Sequence, residues 1–170
     1  MRMMRPAPKK AAVIEAMIDV VIEDEDWADI AALEALAARC YDAALAFEPA
    51  LSGEIALLLT NDAAMRALNA KYRGKDAPTN VLAFPGDDEK SGGFVGDIAL
   101  ARETCVREAK DKRIALQDHA AHLIIHAMLH LVGYDHQNDD DAEAMERREA
   151  EILNRLGIAD PHDAAMETGR

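Results

Sequence analysis

Cysteine is scarce in this chain: Cys40 and Cys105 are the only two in 170 residues, too few for a disulfide framework. They sit in separate helical patterns and form no C-x-x-C pair, so buried thiols in a reducing compartment are expected. Long apolar runs are missing as well. No stretch approaches the ~20 apolar residues of a membrane span, and no apolar signal core opens the chain, so a cytoplasmic protein without a membrane partner is expected. There are no internal repeats and no linker, and 170 residues suffice for one domain whose core needs no disulfide. Basic charge is also short. Nineteen Lys and Arg against 32 Asp and Glu leave a net charge of −13, which excludes broad electrostatic attraction to a polyanion.

The basic residues present are grouped. Arg66 to Lys75 holds four and no acid, and Arg102 to Arg113 holds five against three acids. The acids concentrate in Glu15 to Asp29 and Asp135 to Glu151, as a solvated face would. Such strips suit an enzyme that meets RNA at one edge or is delivered by a protein partner. They equally suit ordinary helix surfaces.

The pattern is that of an α+β domain, a small mixed sheet of about four strands packed with about five helices. Residues 1–12 read as a tail with four basic residues and two prolines, residues 13–160 as the domain and residues 161–170 as a second tail. Strands are predicted at Ile18 to Ile22, Ile55 to Leu59, Val81 to Phe84 and Phe94 to Leu100, the second covered on both faces. A first helix carries Ile30, Leu33, Ala37, Cys40, Tyr41, Ala44 and Phe47, with Asp26 or Asp29 as its cap and Pro49 closing it. Thr60-Asn61-Asp62 caps a second, with Met65, Leu68 and Tyr72, that Gly74 ends. Pro85 to Gly93 is an acidic, glycine-rich loop. Three more helices follow, to about Lys112, from about Gln117 to Val132, and from Asp140 to Leu156.

The segment HAMLHLVGYDH, His126 to His136, says most about chemistry. Helix positions four apart are turned by about 40° and displaced by about 6 Å, so His126 and His130 share a face and can meet at one ion. A third imidazole eight residues on would lie about 12 Å along the axis, too far for Zn–N distances of roughly 2 Å. Gly133 resolves this, because a left-handed glycine ends the helix and lets the chain fold His136 back. A bare histidine pair reads as ordinary core or surface histidine. The glycine-terminated return to a third one changes that reading to a metal site.

Three neutral nitrogens without a thiolate leave a fourth position open, the mark of a catalytic rather than a structural centre. An ion held so lowers the pKa of its water toward about 7 and polarises a carbonyl or phosphoryl oxygen. Asp135, beside the last candidate ligand, could orient an imidazole. His119 and His122 fall on nearly the same face. A site built on His122 and His126 would leave His130 idle and lose the returning turn, so these two read as solvated or supporting histidines. Cys105 as a hidden fourth ligand is the weaker alternative. Imidazoles also suit nickel, copper or iron.

With these residues in view, HAMLHLVGYDH, LNAKYRGKDAPTNVLAFPG and the GDIAL strand together resemble the YbeY family of metal-dependent endoribonucleases, bacterial ribosomal RNA maturation factors, from about Ile18 to Gly157. The resemblance implies a zincin-like α+β fold and one zinc ion on His126, His130 and His136. It also implies cleavage of single-stranded RNA, maturation of the 3′ end of 16S ribosomal RNA, ribosome quality control, and an arginine important for activity at Arg73. Precursor small-subunit ribosomal RNA and the ribosome or its assembly proteins are the implied partners. Two departures are visible: Ala127 where the family commonly has glycine, and Ala83 where it commonly has serine.

On this reading Arg73 stabilises charge growing on the phosphoryl oxygens, while Lys71 and Lys75 position the RNA backbone. The bland alternative for Arg73 is a surface residue beside a helix-ending glycine. Either the RNA 2′-hydroxyl or water could attack, and no residue selects between them. A zinc peptidase is the rival enzyme, but peptidases with this histidine spacing carry glutamate after the first histidine, where this chain has Ala127. Its base would have to come from Asp135 or the Asp87 to Glu89 loop. A ribosome-associated binding module, with the metal only pinning the last helices, is the non-enzymatic rival.

Overall fold

The apolar run from Ile55 to Leu59 becomes a strand buried along its whole length, and the sheet assembles around it. The computed structural model describes residues 17–86 and 93–161. Among these, in chain order, are β1 (Met17–Ile22), α1 (Leu33–Phe47), β2 (Glu54–Thr60), α2 (Asp62–Arg73), β3 (Val81–Pro85), β4 (Phe94–Ala101), α3 (Arg102–Lys112), α4 (Leu116–Leu131) and α5 (Asp139–Arg155). The strand order is β1-β2-β4-β3, with β1, β2 and β4 parallel and β3 antiparallel at the edge. This is the mixed four-stranded sheet with five helices that the sequence pattern predicts. The tail at residues 1–12 lies outside the described residues, as do residues 87–92 of the acidic loop and 162–170 of the second tail.

Period-two alternation sorts the strands between two layers. Ile55, Leu57 and Leu59 of β2 join Ile98 and Leu100 of β4 beneath α1, α4 and α5. On the opposite face Leu58, Leu82, Phe84, Ala99 and Ala101 pack with Met65, Leu68 and Tyr72 of α2. The Asn61 side chain caps α2 by accepting from the Ala64 N–H, and Gly74 closes it in the left-handed conformation at φ 71°.

The start of α1 differs from the expected capping by Asp26 or Asp29. Glu25–Asp29 forms a separate 3-10 turn, capped by Asp24, and α1 begins only after Ala32 bends the chain at φ 54°. Trp27 is the physical reason. Its fully buried ring and its Nε1–H bond to the Thr60 carbonyl, 2.8 Å, pin the turn against the end of β2 before α1 can start. Asp29 instead accepts from Arg102 at 2.8 Å. Helix ends elsewhere shift by one residue: α4 starts at Leu116 and stops at Leu131, and α5 runs Asp139–Arg155.

Two contacts tie β3, α3 and α4 together. Gly96 of β4 has no Cβ, and one built there would stand 2.6 Å from both the Phe84 carbonyl oxygen and Leu131 Cδ2. Its absence lets the edge strand and the end of α4 close on β4. Fully buried His119 bonds Glu108 of α3 at 2.8 Å, and Glu108 also accepts from Asn80. Burial holds the His119 pKa below its ordinary value. For Glu108, burial is outweighed by the Asn80 and His119 hydrogen bonds, which hold its pKa below the ordinary value too.

Gly96→Ala should cost about 1–3 kcal/mol, read from the urea midpoint, because the Phe84 backbone must shift; an unchanged midpoint would show that β3 yields freely. Both depressed pKa values favour the less protonated form in the folded state, so their stabilisation is complete above the unfolded values and is lost on acidification, beginning near pH 6.5 for His119. Denaturation series from pH 8 to 5 should therefore slope less in His119→Gln than in the parent, and parallel slopes would contradict the assignment.

Candidate metal centre

The apolar pattern of α4 aims its histidines. Leu123, Ile124, Ile125, Ala127, Met128, Leu129 and Leu131 are buried, so His126 and His130 are left on the half-exposed stripe. Their Nε2 atoms stand 3.1 Å apart. At the helix end the Tyr134 N–H bonds the Leu129 carbonyl at 3.0 Å and the Gly133 N–H bonds the His130 carbonyl at 3.1 Å. These are the two bonds of a Schellman turn, and Gly133 takes the φ of 104° that the turn demands. The chain reverses and returns His136, whose ring centroid lies 5.3 Å from that of His130 and 6.0 Å from that of His126. One ligand atom from each of the three histidines lies within 4.8 Å of the others.

The other ring nitrogens are already engaged. A carbonyl oxygen can only accept, so His130 Nδ1–H donates to the Tyr134 carbonyl at 2.9 Å, which leaves the Nε2 lone pair for a ligand. His126 Nδ1 faces Oε2 of Glu149, and Oε1 of the same carboxylate lies 2.9 Å from His122 Nε2. Burial, then the neighbouring His126, lowers the His130 pKa, which favours the neutral form that metals bind. Burial alone would raise the Glu149 pKa, but hydrogen bonds from His122 and His126 hold it well below the usual carboxylate range.

This donor set fits zinc. Two nitrogens bound tetrahedrally at about 2.05 Å stand about 3.4 Å apart, close to the Nε2 spacing seen here. A second group, His122, His126 and Glu149, also meets the distance condition. Its contacts are those of hydrogen bonds, with His122 Nε2 and His126 Nδ1 each facing one oxygen of Glu149. Fully buried Cys105 belongs to neither group; its thiol contacts the Asn80 carbonyl at 3.9 Å, and burial pushes its pKa up to about 12.

A cleft of about 470 Å³ adjoins the trio, lined by His130, Gly133, Tyr134 and Asp135 on one side and by Arg73, Val81, Leu82, Ala83 and Pro85 on the other. Arg73 reaches it from the end of α2. Its Nη2 donates to the Ala83 carbonyl at 2.7 Å, and its guanidinium sits 5.1 Å from the Phe84 ring centroid. Ala83 supplies only its backbone to that bond, so a serine hydroxyl is not required for it. Asp135 Oδ1 accepts from the His136 backbone N–H at 2.8 Å. Lys71 and Lys75 are exposed and do not line this cleft; Lys71 Nζ lies 5.1 Å from the Tyr72 ring. Within the basic strips, Arg66, Arg102 and Arg107 pair with Asp76, Asp29 and Asp62.

Sequence reasoning overlooked the residues behind the trio. Tyr134 ties the returning turn to the body, its hydroxyl donating to Glu48 at 2.7 Å while Arg148 of α5 reaches the same carboxylate at 2.8 Å. Glu149 had a readable signal: it occupies the apolar stripe of α5 with Met145, Ile152 and Leu153, where an acid is out of place.

The described residues contain no helix long and apolar enough to cross a membrane. The family model for "Endoribonuclease YbeY" matches residues 19–157. Proteins named endoribonuclease YbeY are similar over most of their length: 46% identity over 146 residues in Maricaulis maris, covering 85% of this chain and 91% of the relative. The Allorhizobium ampelinum protein is 42% identical over 156 residues, covering 85% and 93%. That of Rhizorhabdus wittichii is 46% identical over 164 residues, covering 86% and 97%. The solution structure of TM1509 from Thermotoga maritima shares the fold, with a TM-score of 0.54 at 22% identity over 82% of this chain and 91% of that one.

Metal analysis of single variants separates the two candidate groups. His130→Ala and His136→Ala should lose the ion, while His122→Ala should still fill with one ion at saturating zinc; the reverse pattern would move the centre to His122, His126 and Glu149.

Proposed function

Because the chain belongs to the YbeY endoribonuclease family, we propose that it cleaves single-stranded RNA in the cleft beside His130, with His126, His130 and His136 holding one zinc ion and Arg73 acting on the reacting phosphate. The observation that carries this reading is the convergence of the two Nε2 atoms at 3.1 Å, with the Nδ1 of each ring engaged by an oxygen. When bound, zinc supplies Lewis acidity toward water and phosphoryl oxygens.

The chain's own groups do the rest. Arg73, anchored through one N–H to Ala83, presents the remaining donors of its planar fork to the cleft, where they meet the equatorial oxygens as charge grows on them. Stacking on Phe84 limits the rotamers it must give up on binding. Asp135 keeps the returning segment in place through the His136 N–H. Lys71 and Lys75, exposed at the end of α2, draw in the RNA backbone beyond the cleft, a local attraction on a chain whose net charge of −13 repels RNA elsewhere. The substrate is precursor small-subunit ribosomal RNA, matured at the 3′ end of the 16S species in the cytoplasm, with the ribosome or its assembly proteins presenting it.

No carboxylate stands where a peptidase of this histidine spacing carries its base, since Ala127 is there and is buried. Arg73→Ala should keep its ion and its melting temperature yet lose about 10²–10³-fold in cleavage of unstructured RNA. His130→Ala should lose activity entirely, which controls for contaminating ribonuclease, and no preparation should cut a casein-like peptide. Unchanged turnover in Arg73→Ala removes the arginine from the mechanism.

A further inference from the structure

A carboxylate inside an apolar helix stripe demands an explanation. Glu149 is 2% exposed and lies between Met145 and Ile152, both in the core. Burying it is costly unless both oxygens are bonded. They are: Oε1 takes His122 Nε2 at 2.9 Å and Oε2 takes His126 Nδ1. Oε2 thereby meets the ring nitrogen of His126 opposite the one that faces His130.

We propose that Glu149 is the positioning residue of the metal centre: it holds His126 as the Nδ1–H tautomer with Nε2 aimed at the ion, and His122 holds Glu149 in turn. This rests on the proposed histidine trio. The physical reason is the tautomer. A neutral imidazole carries one proton on either nitrogen, and a carboxylate at Nδ1 fixes it there and frees the Nε2 lone pair.

The relay also divides labour within α5. Glu149 orients His126 directly, while its neighbour Arg148 grips Glu48, which accepts from Tyr134, whose carbonyl orients His130. Two consecutive residues of α5 thus govern the Nδ1 contacts of His126 and His130. A correctly folded α4 alone is not a finished site; α5 must dock first. A small cavity of about 140 Å³ between them, lined by His122, His126, His136, Met145 and Glu149 among others, leaves room for rings released from these bonds to turn.

The experiment uses the full chain with zinc as the probe. Zinc affinity is measured by competition with a chromogenic chelator for the parent, Glu149→Gln, Glu149→Ala, His122→Ala and His130→Ala, and the His126 tautomer is read from imidazole ¹⁵N shifts of the zinc-free proteins. Glu149→Gln should bind zinc about 10–100-fold more weakly, with His122→Ala less affected. The His126 Nδ1–H signature should give way to a tautomer mixture in Glu149→Ala. If Glu149→Ala does not fold, Glu149→Gln carries both readings, since its amide can accept from only one of the two rings. Unchanged affinity with an unchanged tautomer overturns the proposal while the trio stands. A parent that binds no better than His130→Ala sinks the trio instead, and the tautomer alone then decides whether Glu149 fixes the ring.

Discussion

The burial of α4 is the constraint on which the rest of the site depends. Its apolar side chains are enclosed between the sheet, α1 and α5, and each large one contributes about 1.5–3 kcal/mol by leaving water. Turning the helix by even a fraction of a residue would expose some of them and drive histidines into the core. The direction of His126 and His130 is therefore set by hydrophobic packing far from any ion. The site inherits a rigidity that its own polar contacts could not supply.

What packing cannot supply is the return of the third histidine. The Schellman turn at Gly133 gives the direction, and polar contacts give it permanence: the Tyr134 hydroxyl on Glu48, Arg148 on the same carboxylate, and Asp135 on the His136 N–H. These tie the turn to the end of α1 and to α5, so three helices meet at one corner. Arg148 also lies 5.3 Å from the Phe47 ring, so its stem and charge both serve that corner.

Charge is handled locally. Several arginines in the basic strips face carboxylates and leave little field for a polyanion, whereas Arg73 is held by a backbone carbonyl and a ring, neither of which neutralises it. An acidic enzyme body with Arg73 held at the cleft suits a substrate that is brought to it rather than steered from afar. The edge position of β3 makes this possible, because only an edge strand has a carbonyl such as that of Ala83 turned away from the sheet and available to an arginine.

The spacing of His126 and His130, the glycine before His136, and the strand and helix periods were legible because each is a local property: a fixed rise and rotation per residue turns sequence distance into direction. Asn61 and Gly74 were legible for the same reason, since caps act within a turn of the helix they end. Trp27 was not, because its effect on the start of α1 comes from Thr60, 33 residues away in the chain. Nor was the partnership of Glu149 with His122 and His126, across 27 and 23 residues. By itself the sequence determined which atoms could meet on one helix face and where the chain could reverse. Only the tertiary structure decided which buried acid stands behind which ring, because that pairing follows from how α5 packs on α4, a matter of side-chain volume summed over the whole core rather than of any local period.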